Sequence, residues 1–184
     1  LVSEGEFGYL ESVLEALDIP VESQLALFAR NSLQNSYIRP ENPRLIFFND
    51  QVVVASIRGA PLIEVAVQDP EKGVIFYTLA QEASNARFSR EDRRCLQCHE
   101  SLNSLGVPGM LVRSVMPSPD GTANPQLGNY LTDHRSPFEE RWGGWYVTGQ
   151  HGNVRHLGNG VVTDIRDEES IRDNQELTLR SIRG

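Results

Sequence analysis

The chain has 184 residues, 39% of them hydrophobic and 23% charged, which suits a folded domain with a real core and excludes wholesale disorder. Its formal net charge of -8, with Lys72 as the one lysine, argues against nucleic acid and anionic membrane surfaces as partners, since both are met by clustered cations. No apolar run approaches the roughly 18 residues of a membrane-spanning helix, and "LVSEGEFGYL" lacks the basic start and apolar stretch of a signal peptide, so the chain reads as processed or excised.

Phe7, Leu10, Leu14 and Leu17 recur at helical spacing, and Pro20 closes the segment, which predicts an amphipathic first helix. "SQLALFA" (23–29) is a short apolar run compatible with strand or helix. "RLIFF" and "QVVVASI" flank the turn pair Asn49-Asp50, and "PLIEVAVQ" and "GVIFYTL" flank "DPEKG". These β-branched and aromatic runs predict an antiparallel meander of about four strands. The polar stretch that follows has Ser89 and Asp92 at capping-box spacing, so a helix is expected from near Ser89. "GVPG" breaks the chain, "MLVRSVMP" reads as a strand, and "RWGGWYVTG" and "VRHLGNGVV" read as a last hairpin around "QHGN".

Both cysteines of the chain fall in "RRCLQCHESL". On a helix, residues three and four apart share a face, so Cys95, Cys98 and His99 would be neighbours. This Cys-x-x-Cys-His spacing is the one that attaches haem c. Two thiols three positions apart can each add to one vinyl group, and the adjacent imidazole is directed at the iron. Three other readings compete. A zinc-stabilised binding module would take both thiolates and two histidines, such as His99 with His151 or His156, but a second cysteine pair is missing. A thioredoxin-like dithiol needs a core strand before the motif, and "FSREDRR" does not read as one. The last reading is an accidental spacing.

Through Cys95, Cys98 and His99 the chain resembles bacterial c-type cytochromes. It is similar over most of its length to a group of uncharacterised bacterial cytochrome-c-domain proteins, which carry stretches like "SQLALF", "FFND" and "DP..G..FYTL" before the motif. After it they carry stretches like "DHRSPFEERWGGWYVTGQHG" and "RHLGN". The resemblance implies one covalent haem c and a portion of a longer protein. The strands on both sides of the motif set the chain apart from the small all-helical cytochrome c fold.

The iron's sixth position has five candidate donors: Met110, Met116, His134, His151 and His156. Methionine favours electron transfer at raised potential, histidine lowers it, and an open site permits chemistry on a small molecule. Each candidate has a plainer role: core packing for the methionines, a solvated turn for His151, a hydrogen-bonded sheet residue for His156. Asp133, His134 and Arg135 would form a peroxidase-like group if they converged, but a salt-bridged turn leading into a short helix is the competing expectation. Trp142, Trp145 and Tyr146 around Gly143-Gly144 would make either a wall for a flat ligand or a bulge in a core strand. Arg90, Arg93 and Arg94 are either propionate partners or solvated charges.

The expected fold is α+β, an antiparallel β-sheet with short helices and the haem motif on a central helix. Residues 1–165 are expected to form a single haem c-binding domain, and 166–184 a charged tail or linker. The expected function is a monohaem c-type cytochrome domain for electron transfer or redox sensing. Its alternatives are a haem peroxidase or small-molecule oxidoreductase, and the zinc module. Expected partners are redox proteins or other domains of a longer chain, with no nucleic acid. Because bacteria attach haem c outside the cytoplasm, a periplasmic or otherwise extracytoplasmic location follows from the same reading.

Overall fold

A computed structural model describes residues 1, 3, 5–82, 86–164 and 166. The fold is α+β and mostly antiparallel β, unlike an all-helical cytochrome. Two compact units divide it: Leu1–Leu25 with Arg44–Leu111, and Ala26–Pro43 with Val112–Gly184. Strand β1 (Leu25–Leu27) lies where the chain first passes from one to the other.

The first unit is built on the meander legible in the sequence. Strands β2 (Arg44–Phe48), β3 (Val52–Ser56), β4 (Leu62–Asp69), β5 (Gly73–Ala80) and β6 (Phe88–Arg90) each pair antiparallel with the next. Side-chain chemistry sets both turns. The Asn49 carboxamide oxygen accepts from the backbone N–H of Gln51 and Val52, and Asp69 does the same for Glu71 and Lys72. Period-two alternation then gives the sheet two apolar faces. Phe47, Val54, Ile63, Val65 and Leu79 face helix α1 (Leu10–Ala16), which buries Leu10, Val13 and Leu14 against them. Ala66, Val74 and Phe76 form the opposite face and receive Cys95 and Leu96.

The second unit is built mostly from tight turns. Strand β7 (Val112–Val115) pairs with β8 (Asn129–Thr132). Phe28 and Ala29 donate their backbone N–H to Gly144 O, and Tyr146 N–H bonds Ala26 O. The expected hairpin around "QHGN" does not form. Trp142, Gly144, Gly149 and Gly152 all take positive φ, which breaks strand geometry; Trp145 forms its β-bridge with Leu27, and the 154–162 segment is tied on by single bonds such as Asn159 N–H to Trp145 O. The expected charged tail, 167–184, lies outside the described residues.

Candidate functional site

Both thiols and His99 are carried on helix α2 (Arg93–His99). It begins later than expected, because Ser89 pairs with Thr78 in β6 and the chain turns only after Arg90. Asp92 makes no side-chain cap; Glu91 fills that role by accepting from Arg94 N–H at 3.2 Å while also pairing with the Arg94 guanidinium. Arg90 pairs with Asp92, so of the three arginines proposed for propionates two are engaged by neighbouring carboxylates.

The helix sits on the sheet with its two thiols in different surroundings. Cys95 is half-buried against Ala66, Val74 and Phe76, whereas Cys98 is exposed. Burial, reinforced by the Glu64 and Glu91 carboxylates, pushes the Cys95 thiol up to about 11. Glu64 belongs to a largely buried ion pair with Arg44 on the same face of the sheet. Cys95 is therefore a thiol and not a thiolate at neutral pH, the reverse of what a disulfide-exchange nucleophile needs.

His99 is held from two sides. Its ring lies 4.7 Å from the Phe76 ring, centroid to centroid, and its Nδ1 is 2.9 Å from the Gly109 carbonyl. A carbonyl only accepts, so Nδ1 carries the proton and Nε2 the lone pair in the neutral ring. Gly109 N–H donates back to His99 O at 2.9 Å, closing 100–109 into a loop. Inside that loop Ser104 Oγ accepts from Ser101 N–H, and Leu105 and Gly106 take positive φ. The loop leaves its apolar residues exposed: Leu102 is 95% exposed, Leu105 90% and Val107 about half, as is Met110 just after it. These exposed apolar residues all fall within nine positions of one another in the chain, directly after the helix that carries the motif.

The other candidate donors fall in both units. Met110 directly follows Gly109 in the first unit. Met116, 1% exposed, and buried His156 belong to the second, where both line a cleft of about 760 Å³ with Tyr130 and Phe138. His156 Nδ1 accepts from Gly158 N–H, and its ring meets that of His151 edge-on at 4.6 Å. Burial, and to a smaller extent His151, lowers the His156 pKa. His134 is exposed. Arg135 folds back on Asp133 with Nη2–Oδ2 at 2.6 Å, which holds that carboxyl down to about 2; the stretch is a salt-bridged turn leading into a short 3-10 helix, Phe138–Glu140. Atoms of β7 and of the segment after β1 fill the room left by the glycine pair. A Cβ on Gly143 would lie 2.4 Å from Val115 O, and one on Gly144 2.4 Å from Ala29 Cβ, so "RWGGWY" serves packing within its own unit. Among the described residues no three His, Cys, Asp or Glu side chains gather into a metal-ion site.

Sequence reasoning did not single out Gly109, Gly73, Phe76 or Glu64 as supports of the motif. Only the breaker "GVPG" and the turn "DPEKG" hinted that something rigid stood there. No family model, curated protein or solved structure matches the chain.

Proposed function

We propose that the chain is a monohaem c-type cytochrome module serving electron transfer or redox sensing, with Cys95 and Cys98 as attachment points and His99 as the proximal iron ligand. The observation that carries this reading is the state of His99. Its Nδ1–H is held by a backbone carbonyl and Nε2 bears the lone pair, the second-shell arrangement typical of metal-bound histidine.

Three further features fit the same group. The two thiols stand three positions apart on one helix, as two thioethers require. The protonated Cys95 suits addition of S–H across a vinyl double bond, with sulfur on one carbon and hydrogen on the other. Uncovered Leu102, Leu105 and Val107 beside the helix offer an apolar surface to a flat macrocycle. Haem needs one protein nitrogen and two sulfurs here, so a gathering of three metal-ligating side chains is not required. Bound there, haem supplies a one-electron couple. The protein's part is to fix the imidazole, exclude water from one face, and leave the exposed Cys98 side open to a redox protein or a further domain.

The test is the absorption spectrum of the chain matured in a periplasm with haem-attachment machinery, oxidised and then reduced. A reduced haem c spectrum that survives acid-acetone extraction supports the proposal, and a low-spin iron favours electron transfer. High-spin iron that binds peroxide or carbon monoxide would move the reading to an oxidoreductase. A colourless protein would end it.

A further inference from the structure

We propose that Gly73 is a positioning residue for His99, acting through the Val107–Gly109 segment; this rests on the reading of His99 as the proximal ligand. Gly73 opens β5 at the end of the "DPEKG" turn with φ +75°. A Cβ built there would lie 2.3 Å from the Pro108 carbonyl oxygen and 3.0 Å from Val107 Cγ1. The same Pro108 carbonyl accepts Val74 N–H at 2.8 Å. One residue further, Gly109 makes its paired bonds with His99: N–H to the His99 carbonyl and carbonyl to Nδ1, both at 2.9 Å. The start of β5, the Pro108 carbonyl, the Gly109 carbonyl and the imidazole thus form one short chain of backbone contacts.

The closeness at Gly73 is what seats that chain. Any side chain with a Cβ must displace backbone, because the nearest atom is a carbonyl oxygen and not the end of a flexible side chain. Displacing Pro108 carries Gly109 with it and takes the acceptor away from Nδ1. The ring then loses a hydrogen bond that favours the Nδ1–H tautomer, and a ligated imidazole would lose donor strength.

The fold contains its own control. Gly59 has the same φ of +75° with nothing within 4 Å of a built Cβ. Gly59→Ala therefore imposes the backbone strain of Gly73→Ala without the collision.

The experiment records His99 ring nitrogen shifts by ¹⁵N NMR in the haem-free chain, at one pH where the ring is neutral, for parent, Gly73→Ala and Gly59→Ala. The parent and Gly59→Ala should show the Nδ1–H form. Gly73→Ala should move the tautomer ratio toward Nε2–H by about fivefold, the worth of one hydrogen bond. Pro108→Ala, which loosens the segment yet keeps the carbonyl that accepts Val74 N–H and adds no atom against Gly73, should shift it in the same direction by less and covers the case in which Gly73→Ala does not fold. In the haem-loaded chain the Gly73→Ala midpoint potential should rise while that of Gly59→Ala stays. Unchanged tautomers in both Gly73→Ala and Pro108→Ala overturn the proposal. So does an equal shift in Gly73→Ala and Gly59→Ala, which would trace the effect to strain alone. If the tautomer results hold but the parent never acquires haem, the positioning stands and only the cytochrome reading fails.

Discussion

Alkylation of the haem-free chain separates Cys95 from an ordinary thiol by an amount that the surroundings of α2 set. Burial first, then Glu64 and Glu91, push Cys95 up to about 11 from an ordinary 9.0. At pH 8 about one Cys95 in a thousand is then thiolate, against about one in ten for the ordinary group, a hundredfold difference. A thiolate of higher pKa is the better nucleophile, and a Brønsted slope of about 0.4–0.5 returns nearly tenfold of that. Iodoacetamide should therefore modify Cys95 about tenfold more slowly than an exposed reference thiol, with packing against Phe76 adding to the delay. Peptide mass spectrometry over a pH series should find exposed Cys98 modified first and the Cys95 rate still climbing at pH 10. Glu64→Gln should shift that climb to lower pH, because it deletes a carboxylate and leaves the Arg44 cation nearby. The sign of the stability change follows from the same shift. A thiol raised in the fold contributes fully below pH 9 and loses that contribution as pH rises toward about 11. A Cys95 that reacts at the reference rate at pH 8 and levels off near pH 9 would refute the reasoning.

Three other outcomes follow from the packing and the ring contacts. Ile63→Ala, at a fully buried position between α1 and the sheet, should lower the stability of the first unit by about 2–5 kcal/mol, read from the urea midpoint. The lowered His156 pKa means that stability is complete above the ordinary histidine value of 6.5 and is lost as pH falls below it. His156→Asn, whose side-chain oxygen can replace Nδ1 as acceptor for Gly158 N–H, should flatten that acid limb in thermal melts, whereas an unchanged limb would assign it to other groups. Met110→Ala should leave the spin state of the haem-loaded chain as it was. Met110 follows Gly109, whose carbonyl is tied to Nδ1, the nitrogen that the proposed ligation through Nε2 would turn away from an iron; a low-spin to high-spin change would make Met110 the sixth ligand.

Local chemistry carried most of the first unit. The pairs "RLIFF"/"VVVAS" and "LIEVAVQD"/"GVIFYTLA" form strands where alternation and turn residues say they should, because Asn49 and Asp69 set their turns from within. The same reasoning failed at "RWGGWYVTG". Its residues have strand propensity, but positive φ at Trp142 and Gly144 and a bridge to Leu27 answer to contacts distant in sequence. It failed again at Ser89, where pairing with Thr78 overrode a capping signal.

The motif itself was determined by sequence alone, since Cys95, Cys98 and His99 are neighbours on any helix that includes them. What only the tertiary structure decided is how they differ. The sheet face under α2 makes Cys95 a protonated, half-buried thiol and leaves Cys98 open. A carbonyl ten residues on selects the His99 tautomer, and a glycine in a turn before β5 makes room for that carbonyl. Burial, tautomer and steric room depend on which atoms are brought close in space, and one-dimensional spacing does not contain that information.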